Sequence, residues 1–277
     1  MKTAAAIIIP AHNESRSIAR TLRKVTEQTS DGEFEVIVVC NGCTDSTASI
    51  AAGFPGVDVV DIPEASKLGA LRVGDRRASA FPRVYLDADT ELSSDALRAI
   101  VAELERPGIL VSGVVGRMDL SDASLLVSLY CEFRERLPIF SQGIVGSGNY
   151  ALNEAGRARF DDWPDLLSGD DQFILRMFTP RERSTVKGHT ATLLPPSTMA
   201  AVVRRGVRTR RGNRRLSQGA AGRPLSPPNA GFSRAFRASL KSPRGIASAL
   251  VFVTVTALVR LRARGSSGGT DWASYAR

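Results

Sequence analysis

Residues 83–92 read RVYLDADTEL. A short apolar run stops abruptly at Asp87, Ala88 and Asp89. A run of this length and composition is expected to be a buried strand that delivers two carboxylates at its end. Because side chains alternate along a strand, residues 87 and 89 are expected on one side. Paired carboxylates suit a hard cation such as Mg²⁺ or Mn²⁺, which takes oxygen ligands and often completes its shell with substrate phosphates. They equally suit the nucleophile and general acid of a phosphatase.

Upstream, AAAIIIP (4–10), FEVIVVC (34–40) and VDVVDI (57–62) have the same character. They are β-branched and mostly apolar, as strands covered on both faces are. Helical patterns separate them, over about 14–29, 45–53, 67–80 and 93–105. The first carries Ile18, Leu22 and Val25 at helical spacing, and the last opens with SSDAL, an N-cap signature. Alternating strand and helix predicts an α/β chain with a doubly wound, mostly parallel sheet and helices on both faces. Such sheets bind ligands at the carboxyl ends of their strands. The candidate functional residues therefore lie in PAHNE (10–14), CNGCTDST (40–47), KLGALRVG (67–74) and DADT (87–90). PAHNE is not the GxGxxG turn of a dinucleotide fold. Beyond residue 109 the pattern loosens. GILVSGVVGRMDL (108–120) reads as a strand and ASLLVSLYCEFRERL (123–137) as a helix. GIVGSGNYALNEAGRARF (143–160) reads as a glycine-rich turn, a short strand and a helix start, and SGDDQFILRMF (168–178) as a helix with an acidic head.

The chain has 277 residues, 43% hydrophobic and 23% charged, an ordinary globular balance. Two histidines, His12 and His189, leave no material for a His-rich metal site, and three cysteines cannot build a disulfide framework. Cys40 and Cys43 form a CxxC spacing, but zinc needs a second ligand pair that Cys131 alone does not supply. Reduced thiols in a cytoplasmic protein are the expectation. The N-terminal apolar run is short and reads as a strand rather than a signal peptide. The net charge is +9, yet residues 183–270 hold 17 Lys or Arg and no Asp or Glu, which leaves −8 on the first 182 residues. That asymmetry points to an anionic partner for the basic third: a substrate diphosphate, a membrane surface or nucleic acid. The basic third lacks the interleaved aromatic residues of a single-strand binder, so nucleic acid is not expected. Residues 217–245 are expected to be a mobile basic linker rich in Pro, Gly and Ser. Residues 246–277 are expected to be an apolar helix and tail. The apolar run 246–259 is shorter than the ~20 residues a spanning helix needs. It reads as a buried or interfacial helix. Arg244, Arg260, Arg262 and Arg264 around it suit a membrane surface or an ordinary solvated helix end, so contact with the inner face of the cell membrane stays open.

Taken in order, PAHNE, NGCTDST, KLGAL, DADT, GSGNYAL, GDD and RTRRGNRRL (208–216) resemble glycosyltransferase family 2, inverting enzymes of the GT-A (Rossmann-like) fold. The resemblance spans about residues 4–216. It implies a domain over 1–216, with a nucleotide-binding half to about 107 and an acceptor-binding half over 108–216, followed by a C-terminal helical extension. It implies a nucleoside pocket at Pro10, Ala11, Asn13 and Glu14. Asn41, at a position that is often Asp in the family, would meet the base edge. Asp45 and Lys67 would lie near the nucleotide. Asp87 and Asp89 match the DxD motif, with Asp89 as the main ligand of a divalent cation, Mn²⁺ or Mg²⁺. Gly148 and Asn149 match the acceptor-side loop. In the acidic pair Asp171 is favoured as the base; sliding the register by one residue makes Asp170 the base and brings Arg176 to the usual arginine position. The family's QxxRW-like motif lacks its Gln and Trp here, and Arg208, Arg211 and Asn213 are the candidates for closing on the diphosphate.

The implied reaction moves a sugar from a nucleoside diphosphate sugar, UDP-linked by preference and GDP-linked as the alternative, to an acceptor hydroxyl on a lipid, a saccharide or a small metabolite. Three rivals stand beside it. A haloacid-dehalogenase-like phosphatase would use Asp87 and Asp89, but residues 90–169 contain no Lys for its intermediate, and its nucleophile strand is normally the first. A sugar nucleotidyltransferase wants a glycine-rich basic loop after strand one. A non-catalytic scaffold would bind anionic surfaces through the basic third. Each site also has an ordinary reading: turn formation for Asp87 and Asp89, helix capping for Asp170 and Asp171, a surface lysine at 67 and a solvated basic helix face over 204–216.

Overall fold

The computed structural model describes residues 3–29, 32–164, 169–218 and 231–264. In chain order the elements are β1 (Ala5–Ala11), α1 (Ile18–Thr26), β2 (Phe34–Asn41), α2 (Thr47–Ala52), β3 (Val57–Ile62), α3 (Lys67–Arg77), β4 (Arg83–Leu86), β5 (Thr90–Leu92), α4 (Ala96–Leu104), β6 (Val111–Met118), α5 (Leu125–Glu135), β7 (Asn149–Leu152), α6 (Glu154–Arg157), α7 (Asp170–Met177), β8 (Arg183–Leu193), α8 (Met199–Gln218), α9 (Phe232–Ser239) and α10 (Pro243–Arg264). The eight strands form one sheet in the order β3-β2-β1-β4-β7-β6-β8-β5. β1 lies parallel to β2 and β4, β2 to β3, and β6 to β8. β7 runs antiparallel between β4 and β6, and β5 antiparallel to β8.

Burial on both faces explains why the central strands β1 and β2 read as nearly continuous apolar runs. Ile7, Ile9, Val36 and Val38 face Ile18, Leu22 and Val25 of α1 and Leu97 and Ile100 of α4. Their neighbours Ile8, Ile37 and Val39 face Leu68 and Leu71 of α3 and Phe173 and Ile174 of α7. A buried polar network fixes the far end of α3. Asp75 accepts from Arg83 (3.0 Å), Tyr85 (2.7 Å), Arg157 (2.8 Å) and the Trp163 indole (2.8 Å). Both of its oxygens are used, so the buried charge is compensated. This network anchors the helix whose first residue is Lys67.

Four expectations change. β4 ends at Leu86, so residues 87–89 form a turn and strand alternation does not set their direction. The turn is held by Asp87 N–H on the Gly148 carbonyl (2.8 Å) and Thr90 N–H on the Asp87 carbonyl (3.1 Å). The SSDAL cap is not made: Asp95 sits at φ 59° with no capping bond and pairs with Arg98 at 2.9 Å. Of the expected linker 217–245, residues 219–230 lie outside the described residues, while 231–245 hold α9 and the start of α10. The apolar C-terminal helix extends beyond 246–259 to 22 residues. Among the described residues, α10 is the one helix long and apolar enough to cross a membrane by length and composition. It is packed on the body: Val255 and Val259 meet Val127 and Cys131 of α5 and Val202, Val203 and Val207 of α8, and Ala249 meets Phe133 and Ala235. Arg244 pairs with Glu132 at 2.6 Å.

Candidate active site

The strand ends open on a cleft of about 260 Å³. Pro10, His12, Asn13 and Glu14 after β1, Asn41 ending β2, Lys67 opening α3, and Asp87 and Asp89 after β4 line it. Gly148 and Asn149 at β7, Asp170 and Asp171 opening α7, and Arg208 on α8 also line it. Of the residues singled out in the sequence, Ala11, Asp45, Arg211 and Asn213 do not line it. The Ala11 carbonyl accepts from Asn41 Nδ2 at 2.8 Å. Asp45 is exposed and braces two loops, accepting from Ser15 N–H (3.1 Å) and Thr47 N–H (3.0 Å). Despite some desolvation, these bonds and the Thr47 hydroxyl hold its carboxyl down at about 2.

At the ends of β1 and β2 the two loops lock each other. Asn13 adopts φ 54°, a region Asn tolerates better than most residues, and its Oδ1 accepts from Thr44 N–H at 2.8 Å. His12 Nδ1 lies 2.6 Å from the Asn41 carbonyl, which makes His12 a wall of the cleft. The Asn41 side chain is 1% exposed. Its amide nitrogen must face the Ala11 carbonyl, so its Oδ1 points the other way and has no hydrogen-bond partner among the described residues. A buried acceptor left unmet costs about 1–3 kcal/mol, which a ligand N–H can recover. Cys43 lies beside this loop with its sulfur 3.4 Å from the Ala11 carbonyl, while Cys131 sits in α5.

The centre of the cleft is a chain of charges. Lys67 Nζ bridges Asp87 Oδ1 (2.7 Å) and Asp170 Oδ1 (3.0 Å). Burial works against the Lys67 ammonium, but Asp170 and Asp87 outweigh it and raise its pKa. Burial likewise works against the Asp87 carboxylate, yet Lys67, with Arg205 and Arg208 beyond it, holds it below its usual range. Asp89 is 8% exposed and completes this wall. Among the described residues no group of three or more His, Cys, Asp or Glu is arranged to hold a metal. Two carboxylates at one turn fit a hard cation that draws its remaining ligands from substrate phosphates and water.

The two carboxylates that open α7 sit in different surroundings. Asp170 is 5% exposed and already engaged, by Lys67 and by the Tyr150 hydroxyl at 3.1 Å. Asp171, more accessible, accepts from the Gly146 N–H at 3.0 Å and its own helix's Gln172 N–H at 2.6 Å. Burial and the neighbouring Asp170 charge push its carboxyl up to about 6. A group poised there is deprotonated at neutral pH and still basic enough to accept a proton.

The GSGN loop is built by its glycines. Gly148 sits at φ 69°, and a Cβ there would lie 2.1 Å from Thr90 Oγ1. Asn149 is spent inward: Oδ1 accepts from Val114 N–H (2.9 Å), and Nδ2 donates to the Val114 and Ser147 carbonyls (3.2 and 2.9 Å). It therefore extends the short β6–β7 ladder and shapes this wall of the cleft through the backbone. Four contributors escaped the sequence reading: Tyr150, Gly146, Arg204 and Arg205. Arg204 and Arg205 precede Arg208 by one helical turn on α8, a spacing visible in RRGVR once the helix is known.

Comparison with known proteins agrees with this architecture. Over 108 residues, 37% of this chain, the sequence is 34% identical to a 4,4'-diaponeurosporenoate glycosyltransferase of Staphylococcus aureus. The chain spans 28% of that relative's length, and between 27% and 48% of the curated relatives it matches. Two solved structures share the GT-A fold at low identity. The mannosyltransferase PcManGT from Pyrobaculum calidifontis, in complex with GDP-Man and Mn²⁺, superposes with a TM-score of 0.59 at 20% identity, covering 98% of this chain and 78% of that one. Glucosyl-3-phosphoglycerate synthase from Mycobacterium tuberculosis, in complex with Mn²⁺, UDP and glucosyl-3-phosphoglycerate, gives 0.56 at 22% identity, covering 80% and 81%. Residues 6–152 match the model of glycosyl transferase family 2, more than half of the chain, and the protein belongs to that family.

Proposed function

We propose that the protein transfers a sugar from a nucleoside diphosphate sugar, with UDP as the favoured nucleotide, to an acceptor hydroxyl with inversion at the anomeric carbon. The observation that carries this reading is the cleft itself. An unmet acceptor at Asn41, the carboxylates Asp87 and Asp89, a row of arginines and a carboxyl near pH 6 face one volume. The neighbouring folds solved with UDP or GDP-Man and Mn²⁺ support the same assignment. Membership in the family leaves no place for the phosphatase reading of Asp87 and Asp89.

In this reading Asn41 Oδ1 accepts the imide N–H of uracil, and Pro10 and His12 wall the base. Arg204, Arg205 and Arg208 face the diphosphate, whose oxygens suit guanidinium forks. Asp89, with Asp87, would hold Mn²⁺ or Mg²⁺, which supplies Lewis-acid neutralisation of the departing diphosphate. Lys67 keeps Asp87 ionised and holds both Asp87 and Asp170 in place. Asp171 takes the proton from the acceptor hydroxyl as it attacks, and one base with one displacement gives inversion. Asp170 positions Lys67 and Tyr150 and is not the base.

The test is nucleotide release from UDP- and GDP-sugars with Mn²⁺, with Mg²⁺ and with a chelator. Slow UDP release by water, dependent on the cation and faster with an accepted hydroxyl compound, is the expected result. Nucleotide release from neither donor series, together with no rise of melting temperature on adding UDP or GDP, would refute it.

A further inference from the structure

We propose that the outer face of α10 docks on an anionic lipid surface, with the helix lying in the interface and not crossing it. From Ile246 to Val259 this helix carries no charged residue. One side, with Gly245, Ser248, Ala249, Val255 and Val259, is buried against the body. The other presents Ile246, Leu250, Val253, Ala257 and Leu261 at helical spacing, and all five are exposed. Leu250 and Leu261 keep 62% and 64% of their surface accessible. The stripe runs about 22 Å at 1.5 Å per residue. A single exposed leucine is unremarkable, but a continuous apolar stripe marks a contact surface. α5 runs antiparallel beside it, because Glu132 meets Arg244 at the start of α10 and Val127 packs with Val255 and Val259 toward its end. The exposed Leu125 and Leu126 at the start of α5 therefore lie toward the Leu261 end and add apolar surface there.

Charge selects the occupant. Arg260, Arg262 and Arg264 are exposed at one end, Lys241 and Arg244 at the other, and residues 183–270 contain no acidic side chain. A second copy laid along the stripe would set arginine against arginine or lysine in either direction. Anionic headgroups complement both ends while the stripe enters the acyl boundary. The packed side is covered by α5 and α8, which carry Glu132 and Arg205, so the helix lies on a membrane with the body attached. α8 connects this face to the cleft. Val202, Val203 and Val207 pack on α10, and Arg204, Arg205 and Arg208 line the cleft. Two packed helices, α10 and α8, therefore stand between the lipid surface and the cleft, a spacing of about 20 Å.

The test is cosedimentation of the full chain with phosphatidylcholine vesicles, with and without phosphatidylglycerol. Leu250→Glu with Val253→Glu, and separately Arg260→Gln with Arg262→Gln and Arg264→Gln, serve as variants. All five positions are exposed, so unchanged melting and unchanged UDP response control for folding. The expected result is salt-sensitive binding to the phosphatidylglycerol vesicles that drops at least tenfold in each variant, on the order of fivefold per arginine. No binding to those vesicles, equal binding to neutral ones, or a lipid-free dimer dissolved by the Leu250→Glu and Val253→Glu pair would overturn it. Retention on vesicles through alkaline carbonate washing would mean a spanning helix and would overturn it too.

Discussion

Replacing Asp171 with Asn separates catalysis from stability at this site. The wild-type carboxyl, pushed up to about 6, takes up a proton in the folded chain before it would in the unfolded one. Between the ordinary aspartate pKa near 3.9 and that value the folded state binds more protons, so stability falls as pH rises through this window. Raising the carboxyl from its ordinary value to about 6 corresponds to a destabilisation of about 3 kcal/mol at neutral pH. Asn removes that charge but can accept only one of the two N–H groups now bound, Gly146 and Gln172, which costs about 1–3 kcal/mol. The two effects nearly cancel, and the melting temperature is expected to stay close to wild type. Turnover, in contrast, is expected to fall by ~10²–10⁴, the usual contribution of a general base, with UDP affinity little changed. The wild-type rate at pH 5 should be about one-tenth of that at pH 7, as the base protonates below 6, and the residual rate of the variant should be flat across this range. Initial rates at saturating donor, calorimetric UDP affinity and thermal melts from pH 5 to pH 8 check each part. A variant retaining most of its turnover, or the same signature from Asp170→Asn with Asp171 intact, would refute the assignment.

Gly148→Ala should destabilise the fold by about 1–3 kcal/mol in chemical denaturation, because it demands a left-handed backbone and drives a Cβ into Thr90 Oγ1. Adding Thr90→Ala should recover part of the loss, since the hydroxyl it removes has no partner among the described residues. Lys67→Met should cost about 3–5 kcal/mol at pH 7 by leaving Asp87 and Asp170 buried without their cation. Because Lys67 depresses the Asp87 pKa, that contribution is present above about pH 4 and fades below it, so wild type and variant should converge in acid melts.

The first half of the fold was legible because doubly covered strands carry a strong apolar signal, and βαβ alternation leaves few topologies. The DxD turn was found for a partly wrong reason. Asp87 and Asp89 share a wall because Gly148 and Thr90 hold a turn, and not because they alternate along a strand. Asp171 over Asp170 was a preference that sequence register could not fix; the contacts of Asp170 with Lys67 and Tyr150 are long-range and invisible in the local pattern, and they are what the proposed role of Asp171 builds on. Arg204 and Arg205 were hidden because the orientation of α8 is set by its packing on α10, a contact that no local pattern in 199–218 encodes. Asn149 matches the family's acceptor-side loop in sequence, and no local pattern shows that its amide is bonded to Val114 of β6. The 231–245 stretch read as linker because Ser, Gly and Arg dominate it; Ala235 packing beside Phe133, with Phe232 against the same cluster, makes α9.

The most direct measurement is calorimetric titration of UDP into the full chain with Mn²⁺ and with chelator, repeated on Asp89→Ala. The expected result is binding that tightens at least tenfold with Mn²⁺ in the wild type, and an Asp89→Ala protein that melts normally but binds UDP equally weakly with or without the ion. Mn²⁺-dependent UDP binding that survives in Asp89→Ala would contradict a cation held at this turn and used on the departing nucleotide.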